Sequence, residues 1–293
     1  MDIAVFLVCV FAKNKWNQKG KKHANFLCIF DQKEEMNLFI ENKTFLVCGA
    51  ASGFGRAIAE ALIAEGARVI VSARREAELK KIAALAPDRV QIVVADLFKE
   101  ADQDRLLEKI DLSQLSGVVI NAGGPPAKSF LETEMEDWDN AYVGLVKWKV
   151  RLTKKILPAL IKNKYGRLVF VESKSVKQPV ENLVLSNSMR LAVVGFVKTL
   201  SQEVANKGIC MNIMAPGYHD TPAMDRIFAK KASVLNISIE QAKSSIESEL
   251  AMGKLGNPKD FAQLALFLLS PASNFLNGQT ISVEGGLIKG IFG

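Results

Sequence analysis

A short apolar run, Thr44–Cys48, leads into a glycine cluster, Gly49, Gly53 and Gly55. The next stretch, residues 56–65, carries Ala57, Ile58, Ala61 and Leu62 at helical spacing. Strand, turn and helix in that order dictate a layered α/β start to the chain. Glycines let backbone approach a ligand closely. The first N–H groups of the helix have no partner within it and lie at the positive end of its dipole, so they suit a diphosphate. Gly49, Ser52, Gly53, Phe54 and Gly55 are therefore candidates for holding a dinucleotide. The alternative is a tight turn that binds nothing.

Length and charge narrow the classes. The chain has 293 residues, 49% of them apolar and 24% charged, which allows one large core. The net charge of +7 is spread out: residues 1–35 hold six lysines against four acids, leaving about +5 elsewhere. No basic block points to nucleic acid. Four cysteines, Cys9, Cys28, Cys48 and Cys210, have no metal-ligand spacing and fit a reducing cytoplasm. No apolar run approaches the ~20 residues that span a bilayer. An apolar decamer, residues 3–12, precedes its lysines instead of coming after them, the wrong order for a signal peptide. Residues 1–35 are expected to be a leader added by an upstream start, non-native or disordered, with a weak membrane-surface anchor as the alternative. A single domain is expected over residues 36–293.

Further strands are predicted at residues 67–73, 90–96, 117–123, 166–173, 209–216 and 279–286, alternating with helices. Apolar runs with little polar alternation imply a parallel sheet covered on both faces. The second strand ends in Arg74-Arg75, about 20 residues beyond the turn, where an acidic residue would hold the ribose of NAD. Two guanidinium groups there favour a 2′-phosphate and so NADP; surface arginines at a helix start are the alternative.

The Gly-x-x-x-Gly-x-Gly spacing resembles the fingerprint of short-chain dehydrogenases/reductases, with Cys48 standing where that family usually has Thr. Asp96-Leu97 matches the family's adenine-contacting pair, and Asn121-Ala122-Gly123 its motif at the floor of the cofactor cleft. Pro216-Gly217-Tyr218-His219-Asp220-Thr221 is similar to its Pro-Gly-x-x-x-Thr, whose Thr holds the nicotinamide amide. Val283-Glu284-Gly285-Gly286 resembles its usual ending. The resemblance covers residues 38–290 and implies a doubly wound Rossmann fold, a seven-stranded parallel sheet with helices on both faces.

In this family a Tyr gives or takes the proton, a Lys four residues later lowers its pKa and holds the ribose, a Ser binds the carbonyl oxygen and an Asn steadies a water. The resemblance places Ser173 at the Ser, Ser186 at the Tyr, Arg190 at the Lys and Leu145 at the Asn. No Tyr-x-x-x-Lys occurs: four residues after Tyr142, Tyr165 and Tyr218 come Val146, Val169 and Pro222. Arg190 can keep a positive charge at the ribose, but a serine hydroxyl is far less acidic than a phenol.

Two readings are open. In one, the chain is an NADP(H)-dependent oxidoreductase acting on a carbonyl/alcohol pair, a 3-oxoacyl thioester among the candidates, with water, Ser173 or Tyr218 giving the proton. In the other it is a catalytically silent NADP-binding sensor or oligomer partner. His219 is expected to be solvated, with a catalytic part as the alternative. Lys174 and Lys177 are open between cleft and solvent. Residues 221–252 fall at the family's substrate lid. Two long helices, residues 138–163 and 184–206, resemble those through which members form homotetramers.

Overall fold

In the computed structural model, residues 37–291 are described. The leader expectation therefore lies outside the described residues. The strands are β1 (Thr44–Cys48), β2 (Arg68–Ala73), β3 (Val90–Val94), β4 (Leu115–Ile120), β5 (Gly166–Val171), β6 (Ile209–Pro216) and β7 (Thr280–Val283). They form one parallel sheet in the order β3-β2-β1-β4-β5-β6-β7. The helices are α1 (Gly53–Ala64), α2 (Glu76–Ala83), α3 (Glu100–Glu108), α4 (Met135–Tyr142), α5 (Trp148–Lys162), α6 (Val184–Val204), α7 (Pro222–Leu235), α8 (Ile239–Glu249) and α9 (Pro258–Leu269).

Alternation along β1 shows how the layers are made. Phe45 and Val47 pack with Leu79, Ile82, Ile58, Leu62, Phe261 and Leu266, so α1, α2 and α9 cover one face. Leu46 and Cys48 turn to the other, against Leu106, Leu152, Ile156, Val193 and Val197 of α3, α5 and α6. Every residue of β5 and β6 is buried, as strands covered on both faces require. Chain order reverses between β1 and β4, and at such a point the loops after the strands diverge and leave a crevice.

Several boundaries differ from the sequence reading, for local reasons. Strand pairing in β4 stops at Ile120, opposite Phe170, so the Asn121 motif leaves the ladder as a loop. β7 ends at Val283 because Gly285 and Gly286 lie just beyond it with φ of 67° and 75°, outside strand geometry. The helix expected over 138–163 starts earlier and is interrupted: α4 passes into a π turn, Val143–Lys147, before α5 begins. There the Gly144 carbonyl accepts the indole N–H of Trp148 at 2.9 Å. A π turn inserts one residue into the helical register and swings the next helical segment onto a new face. Trp148 and Lys149 are thereby both buried. The expected lid is two helices, α7 and α8, joined through Asn236 in the left-handed region (φ 50°) and restarted by a capping box of Ser238 with Gln241.

Candidate active site

The loop after β1 is built around close backbone approach. A Cβ on Gly55 would stand 2.3 Å from the Gly49 carbonyl oxygen, and one on Gly49 would stand 2.7 Å from that of Asn121. Gly49 itself has φ +65°. Only glycine fits either place, and the result is that the loop folds back against the turn after β4. Ser52 is the N-cap of α1 yet makes no side-chain cap hydrogen bond, and α1 has no acidic residue in its first turn. The helix start is thus left for an anion.

This loop borders a cleft of about 540 Å³ across the carboxyl ends of β2, β1, β4 and β5. Gly49, Ser52, Gly53 and Phe54 line it, whereas Gly55 stands behind them. At one end it is lined by Arg74, Arg75, Asp96 and Leu97. Arg75 caps α2 and donates through Nη2 to the Ala51 carbonyl at 3.4 Å, tying that end to the glycine loop. The Asp96 carboxylate accepts the Phe98 N–H at 3.3 Å, and the Asp96 N–H is held by Asp102 at 2.7 Å. That backbone donor holds the Asp102 carboxyl below the ordinary range. Arg226, from the first turns of α7, brings a third guanidinium to the cleft. Only its place five residues after Thr221 hinted at this.

Asn121, Ala122 and Gly123 line the middle, and Thr221 closes over the glycine loop, its Cβ and Cγ2 each 3.6 Å from where a Cβ on Gly53 would be. Pro216 and Gly217 do not line the cleft. Their part is to hold Thr221: the Gly217 N–H donates to Val283 at 2.9 Å, fixing the loop to β7. His219 is not solvated as the sequence suggested. It is 5% exposed, edge-on to Phe54 and Phe261 with ring centroids 5.0 and 5.5 Å away, and burial pushes its pKa down. A residue this enclosed pins the loop.

The far end departs most from expectation. Arg190 Nη1 donates to Glu172 Oε2 at 2.9 Å and its Nε donates to Ser186 Oγ at 3.0 Å. Lys149 Nζ donates to the other oxygen of Glu172. All four side chains are buried, and Arg190 and Glu172 line the cleft. Burial pushes the Lys149 ammonium below its ordinary value, Glu172 opposes, and the neighbouring charge of Arg190 adds to the lowering. Ser186 and Arg190 are thus brought together. Ser173 is not brought to the cleft with them: its Oγ accepts the Ser175 N–H at 3.2 Å, starting a short 3-10 turn. Lys174 lies with Nζ 4.7 Å from the Tyr218 ring centroid, away from the cleft lining, and burial pushes Tyr218 above its ordinary pKa. Lys177 is half-buried and Leu145 buried. Lys149 and Glu172 were missed because no local motif marks them.

A family model described as enoyl-(acyl carrier protein) reductase matches residues 49–288. The 3-oxoacyl-[acyl-carrier-protein] reductase FabG of Haemophilus influenzae is 31% identical over 252 residues, covering 85% of this chain and 99% of that one. This chain belongs to the short-chain dehydrogenase/reductase family. The FabG protein of Escherichia coli is 29% identical over 251 residues, with 84% and 98% covered. Among solved structures, L-sorbose reductase from Gluconobacter frateurii, complexed with NADPH and L-sorbose, superposes with a TM-score of 0.82 at 25% identity over 87% of this chain and all of that one. Actinorhodin polyketide ketoreductase with NADPH gives 0.79 at 28% identity, covering 84% and 97%.

Proposed function

We propose that the chain is an NADP(H)-dependent oxidoreductase that interconverts a carbonyl and an alcohol, with 3-oxoacyl thioesters as its leading substrate class. One observation carries the reading: a single cleft joins an open helix start and glycine loop to the guanidinium pair Arg74 and Arg75 at one end and to Arg190 at the other, with Arg226 also in its lining. Such a lining complements the charge of a phosphorylated dinucleotide. Relatives that are 3-oxoacyl-carrier-protein reductases support the substrate class.

The loop from Gly49 to Gly55 and the α1 start would take the diphosphate, Arg74 and Arg75 the 2′-phosphate, Asp96 and Leu97 the adenine. Asn121, Ala122, Gly123, Pro216, Gly217 and Thr221 shape or support the nicotinamide half. When bound, the nicotinamide supplies or accepts hydride. This chain's own contribution is at Arg190, Ser186 and Ser173. With Nε and Nη1 engaged, Arg190 keeps Nη2 for the cleft, where it can donate to an oxygen gaining negative charge. Ser186 Oγ accepts from Arg190, leaving its O–H able to donate. A serine hydroxyl is too weak an acid to take over the proton transfer, so in this reading the proton comes from water. Ser173, committed to its turn, is the weakest member.

A second reading has a specific observation behind it. The place of the family's phenol is filled by a serine locked into a buried ion network, which suits a cofactor-binding protein without turnover. In either case a homotetramer in a reducing cytoplasm is the proposed setting; the described cysteines, Cys48 and Cys210, are both free. Among the described residues no helix is long and apolar enough to cross a membrane. The test is calorimetric binding of NADPH and NADH, and then NADPH consumption over 3-oxoacyl thioesters and activated ketones. Tighter binding of NADPH, weakened by Arg74→Ala with Arg75→Ala, together with consumption that falls in Arg190→Ala, supports the enzyme. Binding without consumption leaves the silent reading, and no binding removes both.

A further inference from the structure

We propose that the buried Lys149–Glu172–Arg190 network makes this cleft selective for redox state, holding the reduced nicotinamide cofactor and disfavouring the oxidised one. The proposal rests on the reading of the cleft as a dinucleotide site.

The network is unbalanced. With Lys149 protonated, a state that Glu172 favours against burial and the charge of Arg190, one carboxylate serves two cations, one on each oxygen. Among the described residues, no other ion pair involves Lys149 or Arg190. With relative exposures of 1%, 4% and 6% for Lys149, Glu172 and Arg190, solvent and salt screen the surplus charge poorly. Family resemblance puts a phenol at position 186, which could ionise and cancel such a charge. Ser186 cannot.

Position decides what the surplus charge acts on. The guanidinium pair Arg74 and Arg75 comes directly after β2, whereas Glu172 comes after β5, three strands away in the sheet order. At about 4.8 Å per strand that separates the two ends by roughly 14 Å. Phosphates on the first end and on the glycine loop place the nicotinamide half at the second. Arg190 Nη2 comes within 3.3 Å of where a Cβ on Gly124 would stand, so the cation borders the turn that forms the cleft floor there. Loss of hydride turns the neutral dihydronicotinamide into a cationic pyridinium and leaves the phosphates and adenine unchanged. The surplus charge therefore weakens the oxidised form alone. For unit charges about 10 Å apart at an effective dielectric of about 20, the penalty is roughly tenfold in affinity.

The experiment measures dissociation constants for NADPH and NADP+ on the full chain by calorimetry, in the wild type and in Lys149→Met and Lys149→Arg. In the wild type NADPH binds roughly tenfold or more tightly than NADP+, and the ratio holds from low salt to ~0.5 M while both absolute affinities fall. Lys149→Met, which removes the surplus charge, brings the ratio down by roughly tenfold. Lys149→Arg retains it, which a merely structural role for the side chain would not explain. Equal affinities in the wild type overturn the inference even if no variant folds, as does a ratio unchanged in Lys149→Met. Failure to bind either form is a different result: it removes the dinucleotide reading, and this inference with it.

Discussion

At residue 219 an imidazole serves as a packing side chain. His219 sits edge-on between Phe54 of α1 and Phe261 of α9, and a Cβ on Gly256 would come within 2.6 Å of its ring. Burial pushes its pKa below the free value of about 6.5, so the unfolded chain binds a proton more readily than the native one. The contribution of His219 is then complete above about pH 6.5 and is lost as pH falls from there toward the native pKa. Thermal melts of wild type and His219→Gln across pH 5 to 8 should show a fall below about pH 6.5 that is shallower in the variant. Parallel profiles would mean that the ring is not held neutral. The buried network gives a second prediction. Glu172→Gln leaves two buried cations without a counter-charge and should cost about 3–5 kcal/mol by urea denaturation, far more than a surface substitution. Neither Glu172 nor Lys149 was legible in the sequence, for a physical reason. Glu172 comes directly after a fully buried strand, where a lone carboxylate is not expected, and Lys149 turns inward only because the π turn resets the helical register before it.

Elements were easier to read than side-chain partnerships, because strand and helix periodicity is local. Thr44–Cys48, Ile209–Pro216 and the start of α6 at Val184 fall where apolar patterning puts them. Ends are less visible where backbone geometry decides, as at Gly285 and Gly286, or where pairing stops, as at Ile120. The glycine loop shows both aspects: its type was plain from the spacing, but the contact that requires Gly55 is a carbonyl six residues upstream. Gly55→Ala should therefore push α1 away from Gly49 and disturb the cleft. The expected cost is about 1–3 kcal/mol in stability and a fall in NADPH affinity of roughly tenfold or more. A variant that melts lower yet binds NADPH as before would show that the helix start is not the diphosphate site. At α6, Ser186→Tyr with Arg190→Lys restores the family's pair on the same helical face, one turn apart. NADPH consumption should rise in the double variant, since it adds a phenol, a far better proton donor than a serine hydroxyl. No rise, with NADPH binding intact, would place the block in Glu172 and Lys149, which crowd the same site.

For the molecule as a whole, the surface carries a feature that the cleft does not need. Phe130, Leu131, Met135 and Tyr142, on α4 and the turn before it, are exposed, and so is Leu191 on the neighbouring α6. Scattered exposed apolar residues are ordinary, but five on two adjacent helices and the turn before one of them make a region that water disfavours. Covering it with a second copy satisfies both, since a two-fold axis sets the same patch against itself. A second two-fold contact would complete the homotetramer expected from the family. Light scattering after gel filtration should then give about four times the chain mass of 32.1 kDa. Leu131→Asp with Met135→Lys puts opposite charges on the exposed face without touching the core and should shift the mass to smaller species. If the cleft of one chain suffices for the cofactor, those smaller species still bind NADPH with unchanged affinity. Loss of binding on dissociation would mean instead that assembly holds α4, the π turn and α6 in place, and with them Lys149 and Arg190. A monomer in the wild type at micromolar concentration would remove the assembly and leave the cleft as it is.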